Sequence, residues 1–289
     1  MSLPTYQREQ IYYALIGPAL LSLLGTSFVI TMYLAFSSLR STSFKLILFL
    51  AIFDLINAVS FLIPNTDIDN NSFSCQLQAV TLNFSSITSI FWTTFMALFL
   101  LRTIKGQDTY SEKTLWYVFS VNVFIGILNS VIPYFVYDQN TYGKTRAWCW
   151  IRDEYFLLRN LLFIIPLFIL IPINFVIYIR VAMIINELLK NIENQSYKSK
   201  LKNKMLLYPF IIVVCYLPYT IKACVEELGF YTDEFSFTLI SGVLRCLHGF
   251  FNFCIYGFNP MVQNKLKDCF YSWSSVRNDS IVSTLSLEK

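Results

Sequence analysis

Few side chains in this sequence could do chemistry, and they lie far apart. His248 is the only histidine in 289 residues. A hydrolase or metalloprotease needs several histidines or another cluster of metal ligands, so one imidazole argues against an enzyme, a bound metal or a cofactor, and core packing is its simpler role. Asp54 is a single carboxylate inside a long apolar run, and Asn252 and Asn259 lie in another such run near the C-terminal end. A carboxylate in hydrocarbon is costly and turns inward, toward partners, a cavity or an ion. Asp54, Asn252 and Asn259 are therefore read as one intramembrane polar switch, with a neutral, hydrogen-bonded Asp54 in static packing as the alternative. Arg159, Lys222, Arg245 and His248 are grouped as a candidate pocket for a small anionic ligand. The alternative is that the bases snorkel or find an acidic partner such as Glu226.

The elements that must position these groups follow from composition. Of the residues, 55% are hydrophobic and 14% charged, against about 25% charged in an ordinary soluble domain. Most of the surface must face something other than water. A helix crossing the bilayer core needs about 20 mostly apolar residues. Ile11–Phe36, Cys75–Leu101, Leu115–Tyr137 and Asn160–Ile179 carry no charge, and Leu46–Pro64 carries only Asp54. Met205–Ile221 is the shortest run, and Phe235–Asn264 carries only Arg245 and His248. These are seven predicted spans. The last contains no lysine for a retinal Schiff base, which excludes a retinal protein. Met1–Gln10 lacks the basic start of a signal peptide, and the apolar run after it is too long for one, so the first helix is expected to be retained.

Lys and Arg cluster on alternate connections, the bias that orients membrane helices. Arg40, Lys45, Arg102, Lys105, Lys113, Arg180, Lys265 and Lys267 fall on one side, with a basic loop that includes Lys198, Lys200, Lys202 and Lys204. Asp67, Asp69, Glu226, Glu227, Asp233 and Glu234 fall on the other. The expected arrangement is N-terminus outside and C-terminus inside, in the plasma membrane. A net charge of +4 is too small to suggest nucleic acid. Arg102 and the four loop lysines are candidates for facing a cytosolic partner, and attraction to anionic lipid explains them equally well. Cys75 and Cys149 both fall outside, where a disulfide can form, while the other five cysteines lie within helices or inside. The alternative is two free, buried thiols. Pro218 is the candidate hinge for a moving sixth helix, or a fixed bend. After Pro260, Val262, Leu266, Cys269, Phe270 and Trp273 recur at helical spacing. That pattern predicts an amphipathic helix along the inner surface, with Cys269 a candidate for palmitoylation. Asn70-Asn71-Ser72 is a glycosylation sequon.

Four segments together resemble the slime-mould cyclic AMP receptors and their receptor-like relatives, loosely allied to secretin-type receptors. They are Leu46–Ile63 (LILFLAIFDLINAVSFLI), Cys75–Leu101 with its Ser85-Ser86 and Phe91-Trp92-Thr93 core, Trp148-Cys149-Trp150-Ile151, and Gly249–Pro260 (GFFNFCIYGFNP). The resemblance implies coupling to a heterotrimeric G protein, the Cys75–Cys149 bridge, and intramembrane roles for Asp54 and Asn252. Departures are also visible. Arg102 is flanked by Leu101 and Thr103 rather than by an acid and a tyrosine, Gln263 stands where a tyrosine is usual, and the long phosphorylatable tail is missing, so cyclic AMP is not carried over as the ligand.

The expectation is an all-α, seven-transmembrane helix bundle over residues 11–260, with a tail over 1–10, an inner-surface helix over 261–273 and a cytoplasmic tail over 274–289. It would act as a G-protein-coupled receptor for an extracellular ligand. A polytopic transporter or channel is the competing reading, disfavoured by the odd number of helices and the lack of an internal repeat.

Overall fold

The structure is a computed structural model, and it describes residues 3–64, 72–107, 110–136, 141–145, 148–188, 211–222, 225, 234–257 and 261–269. Asn259, the lysines at 198, 200, 202 and 204, Glu226, Glu227 and Asn70 lie outside the described residues.

The chain is an all-α bundle of membrane-spanning helices. Helices α1 (Thr5–Ala35), α2 (Thr42–Leu62), α3 (Phe73–Ile104), α4 (Glu112–Val136), α5 (Asp153–Leu188) and α7 (Glu234–Cys246, continued by His248–Asn252 and a wide turn over Phe253–Gly257) are long and apolar enough to cross a bilayer. The shorter apolar helix α6 spans Ile211–Lys222, and α8 covers residues 261–269. The first helix begins at Thr5, before the charge-free run expected to open it, because backbone hydrogen bonding continues past the point where side chains become polar.

The order of packing places α3 at the centre: it lies against α2, α4, α5 and a short hairpin, while α1 packs on α2 and α7. Local sequence explains several boundaries. Ser41 and Ser72 cap α2 and α3, their hydroxyls accepting from Phe44 and Cys75 backbone N–H at 3.3 Å each. Inside α5, Asn160–Ile164 forms a wide π-turn just before Pro166. Proline has no N–H to donate and its ring crowds the carbonyl one turn back, and the wider turn accommodates both effects.

The hairpin pairs β1 (Tyr142–Lys144) with β2 (Cys149–Ile151), Gly143 opposite Trp150. A disulfide joins Cys75 on α3 to Cys149 on β2, with Cα atoms 5.3 Å apart. Gln78 reinforces the joint: it accepts from the Cys149 backbone N–H at 2.7 Å and donates to the Ser60 and Ile63 carbonyls of α2. Tyr142 is buried beneath the hairpin and donates to the Ser130 carbonyl at 2.8 Å; burial pushes its phenol up, so it works here as a neutral donor.

The bulky apolar side chains left exposed, Phe124 and Phe135 on α4 and Phe168 and Phe175 on α5 among them, form the faces turned toward hydrocarbon. At the end of the bundle opposite the hairpin, Lys45 pairs with Glu112, and the Arg102 guanidinium stands 4.8 Å from the centre of the Tyr110 ring.

Replacing Cys149 with Ser should remove the tie between α3 and the hairpin. The loss expected for a bridge closing a loop of this length is roughly 2–4 kcal/mol, read as a lower unfolding temperature together with a newly reactive Cys75 thiol. An unchanged melting curve with no new thiol would rule the bridge out.

Candidate functional site

The functional groups cluster on α7, and the local structure of that helix decides where they point. Leu247, with φ −76° and ψ −6°, marks a one-rung break in the helix between Cys246 and His248, while its own N–H and carbonyl still bond Val243 and Phe251. Ser22 of α1 sits at the break. Its hydroxyl donates to the Cys246 carbonyl at 2.5 Å and accepts from the Phe250 N–H at 2.9 Å. Those two backbone groups, four residues apart, would otherwise bond each other, so a side chain inserted into the ladder opens it. The break also lets α7 approach closely. A methyl at Gly249 would meet the Asp54 Cβ and Thr26 Cγ2 at 3.1 Å, and the residue's lack of a side chain is what permits the contact.

Asp54 is 2% exposed and fully engaged. The Ser89 hydroxyl of α3 donates to Oδ1 at 2.7 Å, His248 Nδ1 lies 3.1 Å from the same oxygen, and the Asn252 amide donates to Oδ2 at 2.7 Å. One carboxylate thus ties α2, α3 and α7 together. The His248 ring meets Tyr216 of α6 edge-on, with centroids 5.2 Å apart, which extends the cluster to a fourth helix.

Three residues toward the N-terminus of α7, Arg245 forms a second buried centre. It is 2% exposed, and one of its nitrogens donates to Ser86 Oγ at 2.9 Å. Aromatic rings surround the guanidinium: Phe61 of α2, Trp148 and Trp150 of the hairpin loop, Phe163 of α5, and Tyr216 and Tyr219 of α6, with ring centres 5.2–5.9 Å from Cζ. The faces of aromatic rings attract a cation, which is how a guanidinium can sit this deep.

The structure brings some of the sequence candidates together and gives others separate partners. Asp54 and Asn252 meet. His248, grouped from sequence with Arg159, Lys222 and Arg245, is found against Asp54. Arg159 pairs with Asp153 at 2.5 Å, and Lys222 donates to Thr238. Pro218 lies inside α6, and Cys269 is exposed on α8. Among the described residues, no group of three or more potential metal ligands occurs. Ser22, Ser89 and Tyr216 were not singled out from sequence. For Ser89 a signal existed: Gln78, Ser85, Ser89 and Trp92 repeat at helical spacing, so one face of α3 carries polar groups through the membrane.

The match that decides the family covers residues 5–272, nearly the whole chain, against the description slime mold cyclic AMP receptor. The chain belongs to that family. Cyclic AMP receptor-like protein A of Dictyostelium discoideum is 27% identical over 240 residues, 83% of this chain and 62% of that protein, so the chain spans less than two thirds of that relative's length. G-protein coupled receptor 1 of Arabidopsis thaliana is 24% identical over 268 residues, covering 87% of this chain and 79% of its own. G-protein coupled receptor 157 of Mus musculus is 26% identical over 257 residues, 80% of this chain and 74% of its own. Within this cyclic AMP receptor family the chain is a multi-pass membrane protein, and its relatives carry the names of G-protein-coupled receptors. The relatives' names support, in general terms, a G-protein partner and an extracellular ligand, and they point to non-enzymatic function.

Ser22→Ala should leave the Cys246 carbonyl and Phe250 N–H to each other or to nothing. The expected cost is about 1–3 kcal/mol, read as a lower unfolding temperature in nanodiscs, and Ser22→Thr should retain most of the stability. Equal stability of Ser22→Ala and the unaltered chain would show that the hydroxyl does not prop the break.

Proposed function

We propose that this receptor signals by rearranging α6 and α7 around the Asp54 cluster, transmitting the arrival of an extracellular ligand to a heterotrimeric G protein on the cytoplasmic side. The observation that supports the reading is the joint made by one carboxylate: Asp54 holds α2, α3 and α7, and Tyr216 on α6 touches the His248 ring. A change at either α6 or α7 alters the bonds available to the other. Pro218, two residues beyond Tyr216, is the proposed hinge, because proline weakens the helix where it stands.

In this reading the N-terminus and the disulfide-tied hairpin face outside, in the plasma membrane, and the C-terminus faces the cytoplasm. The seven helices form the domain over residues 11–260. The segment over 261–273 lies along the inner leaflet, with Cys269 available for palmitoylation, and 274–289 is the tail. Arg102 at the end of α3 and Lys198, Lys200, Lys202 and Lys204 face the G protein, with anionic lipid as a competing contact. Asn259 joins Asp54 and Asn252 in the switch. The ligand is small and anionic, recognised among Arg159, Lys222, Arg245 and His248. Three relatives carry names that mention cyclic AMP, which makes cyclic nucleotides reasonable members of a first screen.

The test is nucleotide exchange on a purified G-protein heterotrimer by the receptor in nanodiscs, screened with small anions, cyclic nucleotides included. Exchange should accelerate with an active ligand. Asp54→Asn, which keeps the size of the side chain and removes its charge, should change that response at least about tenfold, the factor that 1.4 kcal/mol represents. Solute uptake or current in proteoliposomes, with no acceleration of exchange by any compound, would replace the receptor reading with that of a transporter.

A further inference from the structure

The Arg245 centre has more donors than acceptors. Nε and Nη1 of Arg245 are buried and have no hydrogen-bond partner, and neither has Nε1 of Trp148, whose ring centre lies 5.6 Å from the guanidinium carbon. Three buried N–H donors without a partner therefore lie on two neighbouring side chains. Among the described residues no carboxylate lies within ion-pair distance of Arg245. The surrounding rings compensate the charge but cannot replace oxygen acceptors, since a π-face is a weak partner for an N–H. A buried donor without an acceptor is destabilising, and an unpaired buried guanidinium more so. Indole and guanidinium are donors only, so what completes the set is an acceptor with several lone pairs and negative charge.

We infer that Arg245 and Trp148 form an oxyanion-binding site, and that the receptor's ligand presents a carboxylate or phosphate group to them. The inference rests on the receptor reading and narrows the ligand to one chemistry at named atoms. Oxyanion oxygens accept from Arg245 Nε and Nη1 and from Trp148 Nε1, while Ser86 keeps the remaining guanidinium nitrogen. Phe163, Trp150 and Tyr219 make the surroundings of the guanidinium apolar, which favours an acid carried on an apolar ring over a bare hydrated ion. Trp148 precedes Cys149, so the bridge anchors the residue that carries the indole donor. Occupancy would also reach the signalling cluster, because Tyr216 borders both the guanidinium, at 5.9 Å, and the His248 ring.

The probes are benzoate, phenyl phosphate, inorganic phosphate and the neutral isostere benzyl alcohol, added to the full chain in nanodiscs. Tryptophan fluorescence and unfolding temperature are the readouts. At least one of the two aromatic acids should raise the unfolding temperature and change the emission, and benzyl alcohol should do neither. Which acid binds identifies the group preferred, and inorganic phosphate shows how much the ring contributes. Arg245→Gln should weaken binding by more than about tenfold and Trp148→Phe, which keeps a ring and the charge, by about threefold to tenfold. The second variant keeps the test decisive if the first fails to fold. No response to any acid, equal binding of the alcohol, or unaltered binding by Trp148→Phe would overturn the site. None of these readouts involves a G protein, so loss of the oxyanion site would leave the receptor reading standing, and failed nucleotide exchange would leave the site standing.

Discussion

A bilayer offers no water to a polar group within it, and the arrangement of this bundle is organised by that fact. Every buried hydroxyl, amide and charge must find a partner on another helix or on its own backbone. Helix α3 meets the requirement in a way that serves the others. Thr81, Ser85, Thr88, Thr93 and Thr94 each donate to the carbonyl one turn back, which leaves their oxygens free to accept. Ser85 and Ser86 then both receive the Asn57 amide at 3.1 Å, Ser86 also receives Arg245, and Thr94 receives Asn174 from α5 at 2.7 Å. A helix rich in self-satisfied hydroxyls becomes a supply of acceptors in hydrocarbon, which is why it can stand at the centre of the bundle.

The same constraint shapes α7. A helix interrupted inside a membrane exposes backbone groups that cost several kcal/mol if left bare, so the break at Leu247 exists only because Ser22 satisfies both sides of it. Arg245 and His248 are three residues apart and would share a face of a regular helix. One meets a box of aromatic rings and the other, a turn further on, the Asp54 cluster. Tyr216 is packed between them, so α6 borders both charge centres through one side chain.

How far the sequence reports this depends on the kind of interaction. Long apolar runs, the inward carboxylate and the pairing of Cys75 with Cys149 follow from residue types, because hydrocarbon imposes the same demand at every position along a helix. Positions set by tertiary contact do not follow. A serine in an apolar helix can bond its own backbone or insert into a neighbour's, and nothing adjacent to Ser22 tells the two apart. The rings around Arg245 come from α2, α5, α6 and the hairpin loop, so no local pattern announces them. His248 illustrates the difficulty: its place on α7 suggested company with Arg245, and its polar partner is Asp54 of α2.

Two opposite charges buried in one bundle would ordinarily pair, since attraction in a medium of low polarity is strong. Asp54 and Arg245 do not pair here. The acceptor positions of Asp54 are occupied by Ser89 and Asn252, which donate to it, and by the His248 ring, whose Nδ1 lies 3.1 Å from Oδ1. Arg245 is held in the opposite condition, with a charge spread over ring faces and N–H groups lacking oxygen. The bundle thus keeps a carboxyl group with its partners apart from a guanidinium with N–H groups left over. An external oxyanion would complete the cation without disturbing the anion, whereas an ion pair between the two residues would require α7 to close its break and Asp54 to release its donors. Of the two, the Arg245 centre, not Asp54, is the one left with buried N–H groups that lack a partner.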